Sequence, residues 1–328
     1  MAVFLMASGY CYSNQVSSLK EYRCYIFKKI KKLYIPFVIC NGFFILLTPL
    51  FLKIGFYTIN PIFLKLTNSW PIKQSLYVNE GVIGRIKQML KVVAFIGPTQ
   101  IGTATWFLTS LFIVLVLHSG LILVTKRFAK KKVIIVILII MLLATQIVSS
   151  VNLSLPYFVK CIPCTYSVFL FGLLLKQWNR NIMYSWKIGI VAFFILILLS
   201  CNFSIEFSAA KVDNLFVYIV ASLMGWVLLK SISELILYKN NIIADIMKYV
   251  GKHTLQIMCL HVLAFKLVSF VYIIIEHKPM VLLAGFHVIF DANQIWKIIY
   301  LVVGVLLPIG VYEIYRRIVK LIYSVYGT

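Results

Sequence analysis

Phe27-Lys28-Lys29-Ile30-Lys31-Lys32-Leu33-Tyr34-Ile35-Pro36 is the stretch whose reading decides the fold class. Its lysines end abruptly against an apolar run from Phe37 to Phe56. That pattern marks the junction between a charged aqueous face and a helix that enters a bilayer. Lysines three apart share a helix face, so Lys28 with Lys31 and Lys29 with Lys32 form pairs able to hold phosphate oxygens beneath the membrane. The same lysines also serve as an orientation anchor, because basic residues crowd the cytoplasmic side of membrane proteins.

Composition supports a membrane reading along the whole chain. Of 328 residues, 62% are hydrophobic and only 12% charged, with mean hydropathy +0.97. A soluble domain carries roughly 25% charged residues. Apolar runs cover 35–56, 103–124, 133–150, 158–175, 187–203, 214–230, 253–275 and 296–315, after a short apolar segment Met1 to Tyr12. They predict an all-α polytopic transmembrane helix bundle of about nine spans, as one domain across 1–328. The net charge of +23 does not signal nucleic acid, because the basic residues sit in short blocks between spans.

Those blocks alternate. Lysines and arginines are dense in 13–34, at Lys126, Arg127 and Lys130 to Lys132, at Lys176, Arg180 and Lys187, across 230–252, and at Arg316, Arg317 and Lys320. The intervening connections are poor in them, apart from the long 57–100 connection. The basic connections therefore face the cytoplasm, the C-terminus is cytoplasmic, and Met1 starts on the outer side. Trp106 and Trp296 fall at outer ends, Trp178 and Trp186 at inner ends, as an interfacial aromatic belt. The 57–100 connection, with Asn60, Asn68, Trp70, Pro71, Asn79 and Glu80 and an amphipathic stretch Ile83 to Phe95, reads as an outer lid or an interfacial helix.

Seven cysteines are scattered, and Cys161-Ile-Pro-Cys164 is their one close pair. No second pair completes a metal site, so these read as small packing residues and no metal is expected. No Gly-rich nucleotide loop, GxSxG elbow or HExxH motif occurs. Ionisable residues at membrane depth are costly and become functional candidates. His261 lies near mid-bilayer and suits proton abstraction from a hydroxyl, or a bond to a backbone carbonyl. Lys266 lies farther along that helix on another face. His118 and Glu313 sit near inner ends, where snorkelling or water satisfies them. His253, His277 and His287 read as surface or loop residues.

Several local patterns together resemble the integral-membrane acyltransferases of bacteria, in particular the fucose 4-O-acetylase-like branch. Met1-Ala-Val-Phe-Leu-Met-Ala-Ser-Gly-Tyr10 is similar to a family segment ending Phe-Ile-Ser-Gly-Tyr. Lys28 to Pro36 resembles the basic stretch before its Ile-Pro-Tyr. Thr105-Trp106-Phe107-Leu108 and Gly251-Lys252-His253-Thr254-Leu255…Leu260-His261 resemble two further family segments. The resemblance implies a ten-helix fold with its first helix, and the principal catalytic His that it carries, missing from this chain. It implies transfer of an acetyl group from cytoplasmic acetyl-CoA to a hydroxyl of a surface polysaccharide or its lipid-linked precursor, in the bacterial inner membrane. Lys29 and Lys32 stand where the family has an Arg-x-x-Arg pair for acyl-CoA. Lys28 and Lys31 join them, Trp106 and Ser8 face the acceptor, and His261 is left as the catalytic candidate. A glycan transporter or flippase, or an inactive acyltransferase-like scaffold, accounts for the same helices and basic loops.

Overall fold

In a computed structural model of the chain, the basic stretch lies inside a long helix. The structure describes residues 1–13, 16–64, 73–78, 81–125, 130–151, 157–178, 185–203, 205–206, 211–212, 214–238, 242–285, 288–289 and 292–326. Asn68, Trp70, Pro71, Asn79, Glu80, Lys126, Arg127, Arg180 and His287, singled out above, lie outside them. The chain folds as an all-α bundle, with two antiparallel ladders of two residues each in its connections.

Helix α1 (Ala2–Tyr10) is too short to span. Helix α2 (Leu19–Lys29) continues through a π turn (Ile30–Tyr34) into α3 (Ile35–Leu46). The 13–34 connection expected as a loop is therefore mostly helix. Its start is written in Ser18-Leu19-Lys20-Glu21. The Ser18 hydroxyl accepts from the Glu21 N–H at 3.2 Å, and the Glu21 carboxylate accepts from the Ser17 N–H at 2.8 Å. These bonds satisfy N–H groups left open at a helix start. After α3 the axis bends by 52° into α4 (Thr48–Ile54). Pro49 stands in the first turn of α4, where its missing N–H costs nothing, and it cannot continue the ladder of α3.

Beyond them come α5 (Val82–Val93), α6 (Trp106–Val124), α7 (Lys130–Ser150), α8 (Tyr157–Trp178), α9 (Trp186–Asn202), α10 (Leu215–Tyr238), α11 (Ile242–Lys252), α12 (Thr254–Ile275) and α13 (Gln294–Tyr326). Among the described residues, six helices are long and apolar enough to cross a membrane, or seven with the bent pair as one span. Each of the eight expected full spans has a helical counterpart among the described residues. The eighth, α9, has 17 residues, or ~25 Å at 1.5 Å per residue, against a hydrocarbon core of ~30 Å.

The chain divides into two compact units. The first comprises Met1–Pro36 and Trp106–Asp245. Its tightest packing is α1 against α8, where glycines let two backbones touch. A Cβ added at Gly9 would lie 2.0 Å from the Phe169 carbonyl oxygen, and one at Gly172 2.0 Å from that of Met6. Small residues at such crossings are the usual way helices associate in lipid, where no hydrophobic drive separates them from the solvent. Around this pair, Val114, Leu115, Ile134, Leu138, Phe169 and Leu170 form the core. Cys161 and Cys164 are buried in α8 and not joined in a disulfide, with Cys164 Sγ donating to the Cys161 carbonyl.

The second unit comprises Phe37–Thr105 and Ile246–Thr328. Helices α12 and α13 pair closely, with Gly304 against the ring of Phe265 and the Ser269 hydroxyl 2.7 Å from that of Tyr300. Asn41, fully buried on α3, joins the 99–105 segment to its helix. Its amide nitrogen donates to the Phe37 carbonyl and to Thr105 Oγ1, both at 2.9 Å. Its oxygen accepts from the Thr99 N–H at 2.7 Å and the Thr99 hydroxyl at 2.8 Å. A buried amide with its bonds made is affordable at this depth, whereas an unmet one is not. The amphipathic stretch of the 57–100 connection is α5. It packs Met89 near Gly42 of α3 and turns Val82, Ile83, Ile86 and Leu90 outward.

Candidate functional site

Four lysines, one buried histidine and three tyrosines collect in the first unit. The basic stretch lies along α6: the Tyr22 hydroxyl donates to the Val116 carbonyl at 3.3 Å, and the Tyr34 and Phe112 rings are 6.3 Å apart. Lys28, Lys31 and Lys32 are exposed, and Lys29 is half-buried. The Lys29 ammonium stands 5.1 Å from the Tyr25 ring centre, and that of Lys31 4.7 Å from the Phe27 ring. Each is a cation held on an aromatic face four residues back. A π turn, with i→i+5 bonding, begins at Ile30, between the members of each expected pair. Lys32 still lies close enough for its charge to bear on Lys29.

Tyr25 leads inward. It is buried, and its hydroxyl neighbours that of Tyr12, in the turn after α1. The Tyr12 ring stands edge-on to His118 with centroids 5.0 Å apart, and its carbonyl accepts from the Lys176 ammonium at 2.7 Å. His118 on α6 places Nδ1 3.1 Å from the Tyr166 hydroxyl of α8, with the Phe169 ring 5.2 Å away. His118 is only 1% exposed. The expectation that snorkelling or water would satisfy it is therefore wrong. It is held inside the bundle by a tyrosine from a neighbouring helix. When Nδ1 carries the proton and gives it to the Tyr166 oxygen, Nε2 keeps the lone pair that a general base requires.

Ser8 and Trp106 also belong to this unit. Ser8 donates its hydroxyl to the Phe4 carbonyl at 2.8 Å, one turn back on α1. Phe4 in turn packs edge-on to Phe107 at 6.0 Å. Trp106 is buried at the start of α6, and its carbonyl accepts from the Thr109 hydroxyl. Twelve residues along α6 separate Trp106 from His118, ~18 Å at 1.5 Å per residue. At the other end of the spans, Lys131 lies over the ring of Trp178.

His261 lies in the second unit, half-buried on α12. Its Nδ1 is 2.9 Å from the Ile257 carbonyl oxygen, and Phe265 packs edge-on to its ring at 5.3 Å. A carbonyl only accepts, so Nδ1 is the protonated nitrogen and Nε2 bears the lone pair. Lys266 is buried on the same helix and donates to the carbonyls of Leu283 and Gly285, which tie a 3-10 turn (Met280–Ala284) to α12. The carbonyl between them, that of Ala284, accepts from the Leu76 N–H at 2.7 Å. His253 is a further departure from expectation. It is buried rather than at the surface, with Nδ1 2.8 Å from the Tyr249 carbonyl and Nε2 3.4 Å from a Glu313 oxygen. Glu313 is thus met by side chains, including Arg316 at 3.7 Å, rather than by snorkelling alone. His277 is exposed, as expected.

Sequence reasoning missed that Tyr12 and Tyr166 pack against His118 and that Tyr25 neighbours Tyr12. Tyr12 and Tyr166 lie in apolar runs and Tyr25 in the basic 13–34 connection, where each reads as one more aromatic. The available signal was a histidine inside a span with tyrosines on three other segments, but the pairing itself is not local in sequence. Residues 1–313 match the family model described as acyltransferase domain. No curated protein and no solved structure matches the chain.

Proposed function

Because this chain belongs to the acyltransferase-domain family, we propose that it moves an acetyl group from cytoplasmic acetyl-CoA to a hydroxyl of a bacterial surface polysaccharide or its lipid-linked precursor, working in the inner membrane with a cytoplasmic C-terminus. Lys28, Lys29, Lys31 and Lys32 hold the phosphates of CoA. The pantetheine arm passes Tyr25 and Tyr12 toward His118. The acceptor enters on the side of Ser8 and Trp106.

At the thioester, His118 Nε2 takes the proton of the acceptor hydroxyl as its oxygen bonds to the acetyl carbon. The tetrahedral oxyanion collapses, the C–S bond breaks, and the histidine returns the proton to the CoA sulfur. Buried phenols such as Tyr12 and Tyr25 are suited to donate to the oxyanion. The observation that carries this reading is the run of side chains inward from Lys29 through Tyr25 and Tyr12 to His118. A second reading places the base at His261, whose Nδ1–H on the Ile257 carbonyl leaves Nε2 as the acceptor.

Labelled acetyl-CoA supplied to membranes bearing the chain separates the two. His118→Gln abolishes transfer while acetyl-CoA still binds, and His261→Gln retains it. The opposite pattern moves the base to His261. Lys29→Ala with Lys32→Ala raises the acetyl-CoA concentration at half-maximal rate at least tenfold. An unchanged value in that double variant removes the lysines from donor binding.

A further inference from the structure

The bend after α3 opens a groove that the acyl-transfer reading does not use. Thr48, Pro49 and Lys53 of α4 form one side, Gly81 and Arg85 at the start of α5 the other, and Ile59 closes it. Its volume is about 640 Å³, within the ~300–1,000 Å³ usual for small-molecule sites. We propose that this groove binds the phosphate headgroup of a membrane-resident amphiphile.

Charge is the first argument. Lys53 is exposed and Arg85 half-buried, and among the described residues no carboxylate pairs with either. Arg85 also stands at the wrong end of its helix. The first turn of α5 contains no acidic residue, and its N-cap is Gly81, which has no side chain to cap with. A cation beside the positive end of a helix dipole is unfavourable, and an anion there is favourable. The lysine, the arginine and the open N–H groups of α5 thus call for the same kind of ligand. Arg85 supplies a planar fork that matches two phosphate oxygens, and Lys53 a point charge.

The walls say where the ligand resides. Pro49, Leu52 and Ile59 make the groove partly apolar. Along α5, Val82, Ile83, Ile86 and Leu90 are 54–71% exposed, a face that lies in a bilayer interface rather than in water. A groove at that level meets the headgroup of a lipid, with its chain running on into the hydrocarbon. Gly81 adopts φ of 109°, a conformation that only glycine takes readily, and it lines the groove without a side chain. The inference does not depend on acetyl transfer.

The test uses the full chain in phosphatidylcholine nanodiscs, doped with either phosphatidylglycerol or a polyprenyl monophosphate, and reads retained lipid by native mass spectrometry. The wild type retains a phosphate lipid saturably. Lys53→Gln with Arg85→Gln weakens retention at least tenfold at an unchanged melting temperature, whereas Lys53→Arg with Arg85→Lys keeps it. Lys87→Gln with Lys91→Gln, the same charge removed from elsewhere on α5, leaves retention intact. Tenfold preference for the polyprenyl phosphate identifies a lipid-linked ligand, and equal retention identifies any phosphoryl headgroup. Equal losses in the two double glutamine variants, or no loss in the first, overturn the proposal.

Discussion

Gly172→Ala tests the α1–α8 crossing, which sets the position of Tyr12 and hence the surroundings of His118. The new methyl carbon would sit 2.0 Å from the Met6 carbonyl oxygen, 2.9 Å from its carbon and 2.9 Å from the Tyr10 nitrogen. Ordinary contact requires about 3.4 Å or more, so the helices must separate by about 1.4 Å along that line. All three obstacles are backbone atoms, so no rotamer change relieves the clash. Overpacking costs ~1–3 kcal/mol where side chains can shift, and a clash of backbone on both sides belongs at the upper end, ~3 kcal/mol. Gly9→Ala meets the mirror-image obstacle, the Phe169 carbonyl oxygen at 2.0 Å. The two substitutions open one gap, so their costs do not add. Gly310→Ala on α13 is the control. Nothing lies within 4 Å of its Cβ, and alanine in a helix gains ~0.5–1 kcal/mol over glycine. Thermal unfolding in detergent, followed by tryptophan fluorescence, reads all three. Gly9→Ala and Gly172→Ala melt several degrees below wild type, while Gly310→Ala melts at or above it. Wild-type melting of Gly172→Ala would refute the close crossing.

Other positions give separate tests. Asn41→Leu leaves the Thr99 N–H and the Thr105 hydroxyl without their amide partner and costs ~3 kcal/mol, read by chemical unfolding; a loss under ~1 kcal/mol contradicts the role assigned to Asn41. Lys266→Met frees the carbonyls of Leu283 and Gly285, and hydrogen exchange in 280–285 accelerates at least tenfold while that of α13 does not; unchanged exchange shows that the lysine does not hold the turn. His277 ends α12 with φ of 50°, so His277→Gly removes the strain of a left-handed L-residue and stabilises by ~0.5–1 kcal/mol, seen as a higher melting temperature; a lower one contradicts it.

The spans were legible because hydropathy is a local property: every apolar run became a helix. Local breaks bend or shorten two of them. Thr48-Pro49 cuts one run into α3 and α4, and α9 stops after 17 residues. The helical start at Ser18 was also written locally, in the Ser-x-x-Glu spacing, and went unread beside the stronger lysine signal. The π turn at Ile30–Tyr34 has no comparable local mark. Interior polar pairs were the least legible. His118 with Tyr166, His253 with Glu313, and Asn41 with Thr99 and Thr105 each join positions 48 to 64 residues apart, so neither partner reveals the other by spacing. Burial could still be expected from cost. A histidine or lysine inside a span must find a partner: the structure supplies one from another helix for His118, from a turn for Lys266 and from its own helix for His261.

Equilibrium binding of labelled acetyl-CoA to the full chain in nanodiscs tests the account at its centre. Saturable binding is expected, weakened at least tenfold, about 1.4 kcal/mol, by Lys29→Ala with Lys32→Ala and unaffected by removing the Lys87 and Lys91 charges of α5. Equal affinity in the wild type and the Lys29/Lys32 double variant would contradict it.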